Sequence, residues 1–222
     1  MKGVLFDLDG IVTDTATYHF SAWSRLIKDE FGLTLPEIVE ERTKGVSRED
    51  SLRIILEELD LSLDKDRFQY LTNRKNQCYI ESLNQLTSED ILPGIFKLIE
   101  ELKQKGIKIA LASASHNGPF ILEKIGLIDS FDTIVDPGKL SRGKPDPEIF
   151  EVASAQLGLA PKDCVGIEDS IAGIKAINSA GSCSIGVGDD KLSEAFQRVS
   201  STKELSVTLL QESWNNFVND KL

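Results

Sequence analysis

Short apolar runs and helical apolar patterns alternate along most of this chain. Short runs that end in a polar residue are typical of buried strands, and apolar residues at spacings of three and four indicate helices. The predicted strands are Val4–Phe6, Ile107–Ala112, Phe131–Val135, Cys164–Ile167 and Cys183–Val187. Because strands that alternate with helices favour a mostly parallel sheet with helices on both faces, we expect an α/β, Rossmann-like three-layer core.

The segment 15–84 shows only helical periodicity. Apolar residues recur at helical spacing over Tyr18–Phe31, and a further helix is predicted over about Lys65–Leu83. We therefore expect an all-helical cap inserted into a core formed by residues 1–14 and 85–222. Ligands of such sheets bind at the carboxyl ends of the strands. A cap that grows from the end of the first strand is thus predicted to cover the binding site.

Other predicted helices complete the core. One runs through Ile95–Lys105, and Pro147 begins another, since proline is favoured in the first turn of a helix. The final segment 205–222 carries Trp214 and Phe217 at helical spacing. We expect these two side chains to pack on the core.

Composition and charge narrow the possible partners. The chain has 222 residues with 36 acidic and 25 basic groups, a formal net charge of −11. Such a surface repels nucleic acid and anionic lipid, so we expect neither as a partner, nor a membrane. Three widely spaced cysteines and a start unlike a signal peptide predict a reduced, cytoplasmic protein, which we take to be a monomer.

The first predicted strand ends in Asp7-Leu8-Asp9-Gly10. On an extended segment, Asp7 and Asp9 point to the same face of the sheet. Two carboxylates so close repel unless a cation joins them, and hard oxygen ligands favour Mg²⁺. The alternative is a simple turn, since Asp-Gly pairs are common hairpin signals.

Further polar residues follow the other predicted strands. Ser113 follows the second strand, Lys144 lies beyond the third, and Glu168 and Asp169 follow the fourth. In a parallel sheet these side chains converge on one edge. A carboxylate, a hydroxyl and an ammonium together suit phosphoryl transfer. Each also has a structural alternative, for example a helix-entry serine or first-turn charges that favour a helix dipole.

In this order, the motifs resemble those of the haloacid dehalogenase superfamily of phosphotransferases. The matching residues are Asp7-x-Asp9-Gly10, Ser113, Lys144-Pro145 and Glu168-Asp169. The resemblance implies that Asp7 attacks phosphorus and becomes an aspartyl-phosphate, while Asp9 is the general acid and base. It also implies that Ser113 and Lys144 hold the transferring phosphoryl oxygens.

The same resemblance implies one Mg²⁺ per chain. Its ligands would come from Asp7, the backbone around Asp9, and Asp169, with Glu168 nearby. Asp7, Asp9, Glu168 and Asp169 are therefore the candidate metal residues.

A mutase must bind a second phosphate that does not react, whereas a phosphatase need not. Gly45 permits a close backbone approach, Ser47 is predicted to begin a helix in a capping box with Asp50, and Arg48 can bind phosphate with two donors. A capped helix with an exposed arginine is an equally good interpretation. The polar segment 113–119 is a second candidate phosphate site.

The segments Lys44–Leu52 and Ala110–Ser115 are similar to those of the β-phosphoglucomutase family within that superfamily. The similarity implies that β-glucose 1-phosphate and glucose 6-phosphate interconvert through β-glucose 1,6-bisphosphate. Arg48, Ser115 and Asn117 would hold the idle phosphate. Thr15 and His19 would couple cap closure to the placement of Asp9.

The full set of substrate-binding candidates comes from the cap and from the loop after the second strand. It comprises Thr15, His19, Trp23, Gly45, Val46, Ser47, Arg48, Ser51, Lys75, Ala114, Ser115, His116 and Asn117. The helical spacing of Trp23 with Phe20 also fits a packing role in the cap.

The residue His116 departs from the pattern, because the family usually has lysine there. An imidazole is largely neutral at pH 7 unless an anion raises its pKa. We therefore expect the idle phosphate to be held more weakly, or more pH-dependently, than in relatives with lysine.

Two other hypotheses remain open at this point. The first is a sugar-phosphate phosphatase with the same core. The second is a phospho-aspartate receiver module, which also uses acidic residues, a hydroxyl and a lysine in an α/β sheet. The helical insertion and the Asp-x-Asp spacing argue against a receiver.

Overall fold

The computed structural model describes residues 1–220, with all of their side chains except that of Ala16. The strands are β1 (Gly3–Phe6), β2 (Lys108–Leu111), β3 (Thr133–Ile134), β4 (Cys164–Glu168), β5 (Cys183–Val187) and β6 (Gln197–Val199). They form one sheet in the order β3-β2-β1-β4-β5-β6, and every pairing is parallel. Asp7 and Ser113 follow the adjacent strands β1 and β2, and Lys144 follows the edge strand β3, so the sheet brings them to one edge.

The helices are α1 (Ala16–Phe31), α2 (Ile38–Thr43), α3 (Arg48–Glu58), α4 (Lys65–Leu83), α5 (Ile95–Gln104), α6 (Gly118–Lys124), α7 (Glu148–Gln156), α8 (Ile171–Ala180) and α9 (Val207–Asn219). Helices α1–α4 lie between β1 and α5 in the chain. In the described part of the chain, no helix is long and apolar enough to cross a membrane.

Alternate residues of the central strands face two different apolar clusters. Phe6 and neighbouring strand residues pack with apolar residues of α5, α6 and α9. Leu5 and Ala110 face the opposite way and pack against residues of α7 and α8. This alternation confirms the predicted three-layer core, since successive strand residues point to opposite faces.

The cap has an apolar cluster of its own. Trp23 and Ile27 of α1 pack with Ile55 of α3 and Leu71 of α4. A separate cluster within the inserted helices fits the predicted cap, whose boundaries at residues 15 and 84 stay a prediction.

The final helix packs as expected. Phe217 is buried in the main core cluster, and Trp214 is partly buried against it and donates its indole N–H to the carbonyl of Lys162. The prediction for residues 205–222 also included residues 221 and 222, which lie outside the described residues.

Two elements were missed by sequence patterns. Helix α2 has six residues and buries only Val39, so it carries no apolar periodicity. Strand β6 lies at the edge of the sheet and buries only Val199. The predicted strand Phe131–Val135 was too long, because only Thr133 and Ile134 pair with β2.

The start of α3 differs in detail from the predicted capping box. Ser47 is the N-cap, and its hydroxyl accepts from the Asp50 N–H at 3.1 Å. The Asp50 carboxylate accepts from the Ser47 hydroxyl at 2.7 Å and from Arg53. That carboxylate therefore does not cap the Ser47 amide, so the predicted reciprocal bond was wrong.

Candidate active site

The carboxyl ends of three adjacent strands position the central residues. Asp7 follows β1, Ser113 lies two residues after β2, and Glu168 is the last residue of β4. The Asp7 amide donates to the carbonyl of Ile167 at 3.0 Å, which continues the pairing of β1 with β4 beyond the strand. Register between these strands thus determines which polar side chains meet.

Lys144 joins two of the carboxylates. Its ammonium donates to Asp7 Oδ1 at 2.6 Å and to Glu168 Oε2 at 2.7 Å, and all three side chains are buried. Burial opposes the charge on Lys144, but Asp7 and Glu168 outweigh it and raise the pKa of the amine. Burial and the nearby Glu168 raise the pKa of Asp7, while Lys144 opposes that rise.

An acidic cluster suits a hard divalent cation. Among the described residues, carboxylate oxygens of Asp7, Glu168 and Asp169 lie within 4.8 Å of one another. Burial, followed by repulsion from Glu168, raises the pKa of Asp169 to about 6. A cation here would relieve that repulsion, so the donor set fits Mg²⁺.

The second aspartate of the motif lies outside that cluster. Strand β1 ends at Phe6, and Gly10 adopts a φ of 78° in the turn that follows. Asp9 thus lies beyond the end of the strand, yet Asp7 and Asp9 line the same cleft. The Asp9 carboxylate accepts from the Thr15 hydroxyl, and burial and Asp169 raise its pKa to about 7.

A cleft of about 950 Å³ separates the cap from the core. It is lined by most of the predicted site residues, namely Asp7, Asp9, His19, Trp23, Gly45, Val46, Arg48, Ser51, Lys75, Ser113, Ala114, Ser115, His116, Asn117 and Asp169. Four predicted residues do not line it: Thr15 and Glu168 are buried behind it, and Ser47 and Lys144 line a second cavity of about 520 Å³.

The cap side of the cleft carries a cationic group and an aromatic face. Arg48 is half-buried, and burial lowers the pKa of its guanidinium. No carboxylate of the described residues lies within 4.0 Å of it. Trp23 packs in the apolar cluster of the cap and also lines the cleft, so its part in substrate binding stays a prediction. The hydroxyl of Ser47, by contrast, caps α3 through hydrogen bonds with Asp50.

The core side of the cleft is a polar turn after β2. The Ser113 hydroxyl accepts from the Ser115 N–H at 3.1 Å, and the Ser115 hydroxyl accepts from the Asn117 N–H at 3.3 Å. His116 lines both cavities and lies near Gly138.

Two residues that bridge cap and core were not among the candidates. Lys44 of the cap forms an ion pair of 2.7 Å with Asp169 Oδ2. Asn76 of α4 accepts a hydrogen bond of 3.0 Å from the Asn117 amide. Both lie beside predicted residues in the sequence, but nothing local distinguishes them from surface polar residues.

A buried aspartate beside a lysine, a hydroxyl and a candidate metal site is typical of enzymes that transfer phosphoryl groups. The chain belongs to the haloacid dehalogenase-like hydrolase family, whose sequence model matches residues 1–181.

Relatives of known name narrow the comparison. The chain is 46% identical to the β-phosphoglucomutase of Bacillus subtilis (strain 168), over 98% of this chain and 97% of that one. It is 32% identical to a phosphorylated carbohydrates phosphatase of Thermotoga maritima, over 82% of each chain. Its fold matches the crystal structure of a β-phosphoglucomutase from Clostridium difficile with a TM-score of 0.95, at 40% identity and over 99% of both chains.

Proposed function

We propose that this chain is a phosphomutase that interconverts β-D-glucose 1-phosphate and D-glucose 6-phosphate through β-glucose 1,6-bisphosphate. The observation that carries the proposal is the 46% identity to a β-phosphoglucomutase over nearly the whole chain. The cleft supports it, because polar groups suited to a second phosphate lie in the same cavity as Asp7.

The chemistry divides among the residues around β1. Asp7 would form a bond to phosphorus as the sugar oxygen leaves, and Asp9 would give that oxygen its proton. In the second half, Asp9 would take the proton of the other sugar hydroxyl, which attacks phospho-Asp7. Ser113 and Lys144 would hold the phosphoryl oxygens.

Mg²⁺ would be held by Asp7, Asp169 and the backbone at Asp9, with Glu168 nearby, and when bound it would neutralise negative charge on the transferring group. Arg48, Ser115 and Asn117 would bind the phosphate that does not react. The same residues serve both orientations of the bisphosphate, because each of its phosphates must occupy each site in turn.

The cellular setting of this reaction is also a proposal. We expect a cytoplasmic monomer that acts on hexose phosphates and has no nucleic-acid partner. The net charge of −11 supports the last point.

A product assay separates the mutase from the phosphatase. The enzyme is incubated with β-glucose 1-phosphate, a trace of β-glucose 1,6-bisphosphate and Mg²⁺, and both glucose 6-phosphate and free phosphate are measured. Accumulation of glucose 6-phosphate supports the mutase. Release of free phosphate at a comparable rate would replace it with a sugar-phosphate phosphatase, the activity of the relative from Thermotoga maritima.

A further inference from the structure

Helices α1 and α4 of the cap bring together two aromatic rings, an imidazole and an amine. His19 and Trp23 are four residues apart on α1, and Lys75 and Tyr79 are four residues apart on α4. Residues with this spacing lie on one face of a helix. Three of the four were predicted as site residues, whereas Tyr79 was not.

The tyrosine ring contacts the two polar members of this group. Its centroid lies 3.9 Å from that of the His19 imidazole, with 33° between the ring planes. The Lys75 ammonium lies 4.5 Å from the same centroid, against 5.2 Å for the Trp23 ring. Tyr79 is fully buried and Lys75 is 1% exposed, so neither side chain has room to move freely.

These contacts determine how His19 is oriented. The Lys75 Nζ lies 2.5 Å from His19 Nδ1. In its charged form Lys75 can only donate, so Nδ1 then accepts and the ring proton resides on Nε2. His19 Nε2 faces Asp9 Oδ2 at 4.0 Å. The proton on Nε2 is therefore directed toward the aspartate that we propose as the acid and base.

We propose that Tyr79 is a positioning residue, whose ring holds the plane of His19 so that Nε2–H points at Asp9 and offers an aromatic face to the Lys75 ammonium. Stacking accounts for the first effect and a cation–π contact for the second. The inference rests on the proposed role of Asp9, through which Tyr79 would act on turnover.

The first experiment compares Tyr79→Phe and Tyr79→Leu, each alone and with His19→Ala. Tyr79→Phe keeps the ring, so kcat is expected to stay within about 2-fold of the wild type. Tyr79→Leu removes the ring, so kcat should fall about 10-fold while KM for β-glucose 1-phosphate changes less than about 3-fold. In the His19→Ala background, Tyr79→Leu should lower kcat by less than about a further 2-fold, because the effects of coupled residues are not additive.

A purely structural role for Tyr79 predicts different results. Leu71→Ala, a truncation in the apolar cluster of the cap, is the control: it should lower the melting temperature and leave kcat near the wild-type value at temperatures below unfolding. Equal losses from Tyr79→Leu with and without His19 would overturn the proposal. If Tyr79→Leu does not fold, Tyr79→Met retains more of the side-chain length and serves in its place.

A second readout does not depend on turnover. The chain has only two histidines, so ¹⁵N spectra of the imidazoles contain two sets of signals, which His116→Gln assigns. We expect His19 protonated at Nε2 in the wild type and in Tyr79→Phe, and a mixture of tautomers in Tyr79→Leu. An unchanged His19 spectrum in Tyr79→Leu would contradict the inference. A wild type that makes no glucose 6-phosphate would instead refute the proposed function and leave this spectroscopic test in force.

Discussion

At the scale of single residues, burial of charge dominates the site. Lys144 and its two carboxylate partners are all buried, so each charge depends on the others for compensation. Removal of one member of a buried ion pair leaves an uncompensated charge and typically costs about 3–5 kcal/mol. The lysine thus matters both to the stability of the core and to the chemistry at Asp7.

We predict that Lys144→Met lowers kcat by at least about 10²-fold, because a charge aimed at the transferring oxygens is lost. It should also lower the free energy of unfolding, measured with urea. Lys108→Met is the matched control, since Lys108 begins β2 at the opposite end of the sheet and donates to the Leu157 carbonyl. Comparable losses of activity in both variants would contradict the assignment.

Lys75 should make stability depend on pH. Burial and repulsion from Arg48 lower its pKa from 10.5 to about 7. Between pH 7 and pH 10.5, Lys75 is protonated in the unfolded chain but largely neutral in the folded protein. Its contribution to stability therefore rises with pH across this window and is lost as the pH falls toward about 7.

We therefore expect the wild type to gain about 2 kcal/mol of unfolding free energy relative to Lys75→Met between pH 7 and pH 9. Urea denaturation of both proteins at the two pH values measures this difference. Groups common to both proteins cancel in the comparison. If the difference in unfolding free energy between the two proteins is the same at pH 7 and at pH 9, Lys75 is still charged in the folded protein at pH 9.

His116 gives a prediction about phosphate binding. A lysine ammonium is charged throughout pH 6–8 and binds phosphate as a point charge. His116→Lys should therefore lower the KM for glucose 6-phosphate at pH 8. Initial rates from pH 6 to pH 8 test this, and identical profiles in the two proteins would exclude a role for His116 in phosphate binding.

At the scale of elements, the loop between α2 and α3 brings the cap onto the core. Gly45 has a φ of +73°, and a Cβ there would lie 2.2 Å from the Ser170 hydroxyl. Any side chain at this position must push the loop away from the residue that caps α8. A glycine here permits the close approach that both the conformation and the contact require.

We predict that Gly45→Ala raises the ratio of free phosphate to glucose 6-phosphate, because a cap held off the core admits water to phospho-Asp7. Gly32→Ala is the matched control. Gly32 also has a positive φ, of +70°, but nothing lies within 4 Å of a Cβ there, so only backbone strain should result. An equal rise in both variants would mean that general destabilisation causes the leak.

At the scale of the whole molecule, charge pairs across the cleft hold cap and core together. Lys191, in the loop after β5, pairs with Glu41 of α2 at 2.6 Å. Both side chains are about half exposed, so the pair is weak and screened by salt. It lies at the rim of the cleft, where a weak contact can still change how often the cap opens.

Charge reversal tests this contact. Lys191→Glu should raise the hydrolysed fraction by no more than about 5-fold at low salt, and Glu41→Lys in the same chain should restore it. The effect should fade in 1 M salt. Lys175→Glu provides the control, because Lys175 lines the same cleft but pairs with Glu194 within the core. If the double variant keeps the raised hydrolysed fraction of Lys191→Glu, the Lys191–Glu41 pair does not hold the cap.

The sequence by itself determined the architecture and the centre of the site. Period-two and period-3.6 patterns are local, so the main strands, the inserted helices and the polar residues at the strand ends could be predicted from them. Parallel pairing then required Asp7, Ser113 and Glu168 to meet. Short or exposed elements such as α2 and β6 carried no such pattern and were missed.

Only the tertiary structure decided how the cap meets the core. The pairs Lys44–Asp169, Asn76–Asn117 and Glu41–Lys191 join residues far apart in the chain, and each side chain suits an exposed surface equally well. The stacking of Tyr79 on His19 depends on how α1 packs against α4. Local patterns determine whether a segment forms a helix or a strand. These contacts depend instead on how the segments are placed relative to one another, and only the packing of the whole chain sets that placement.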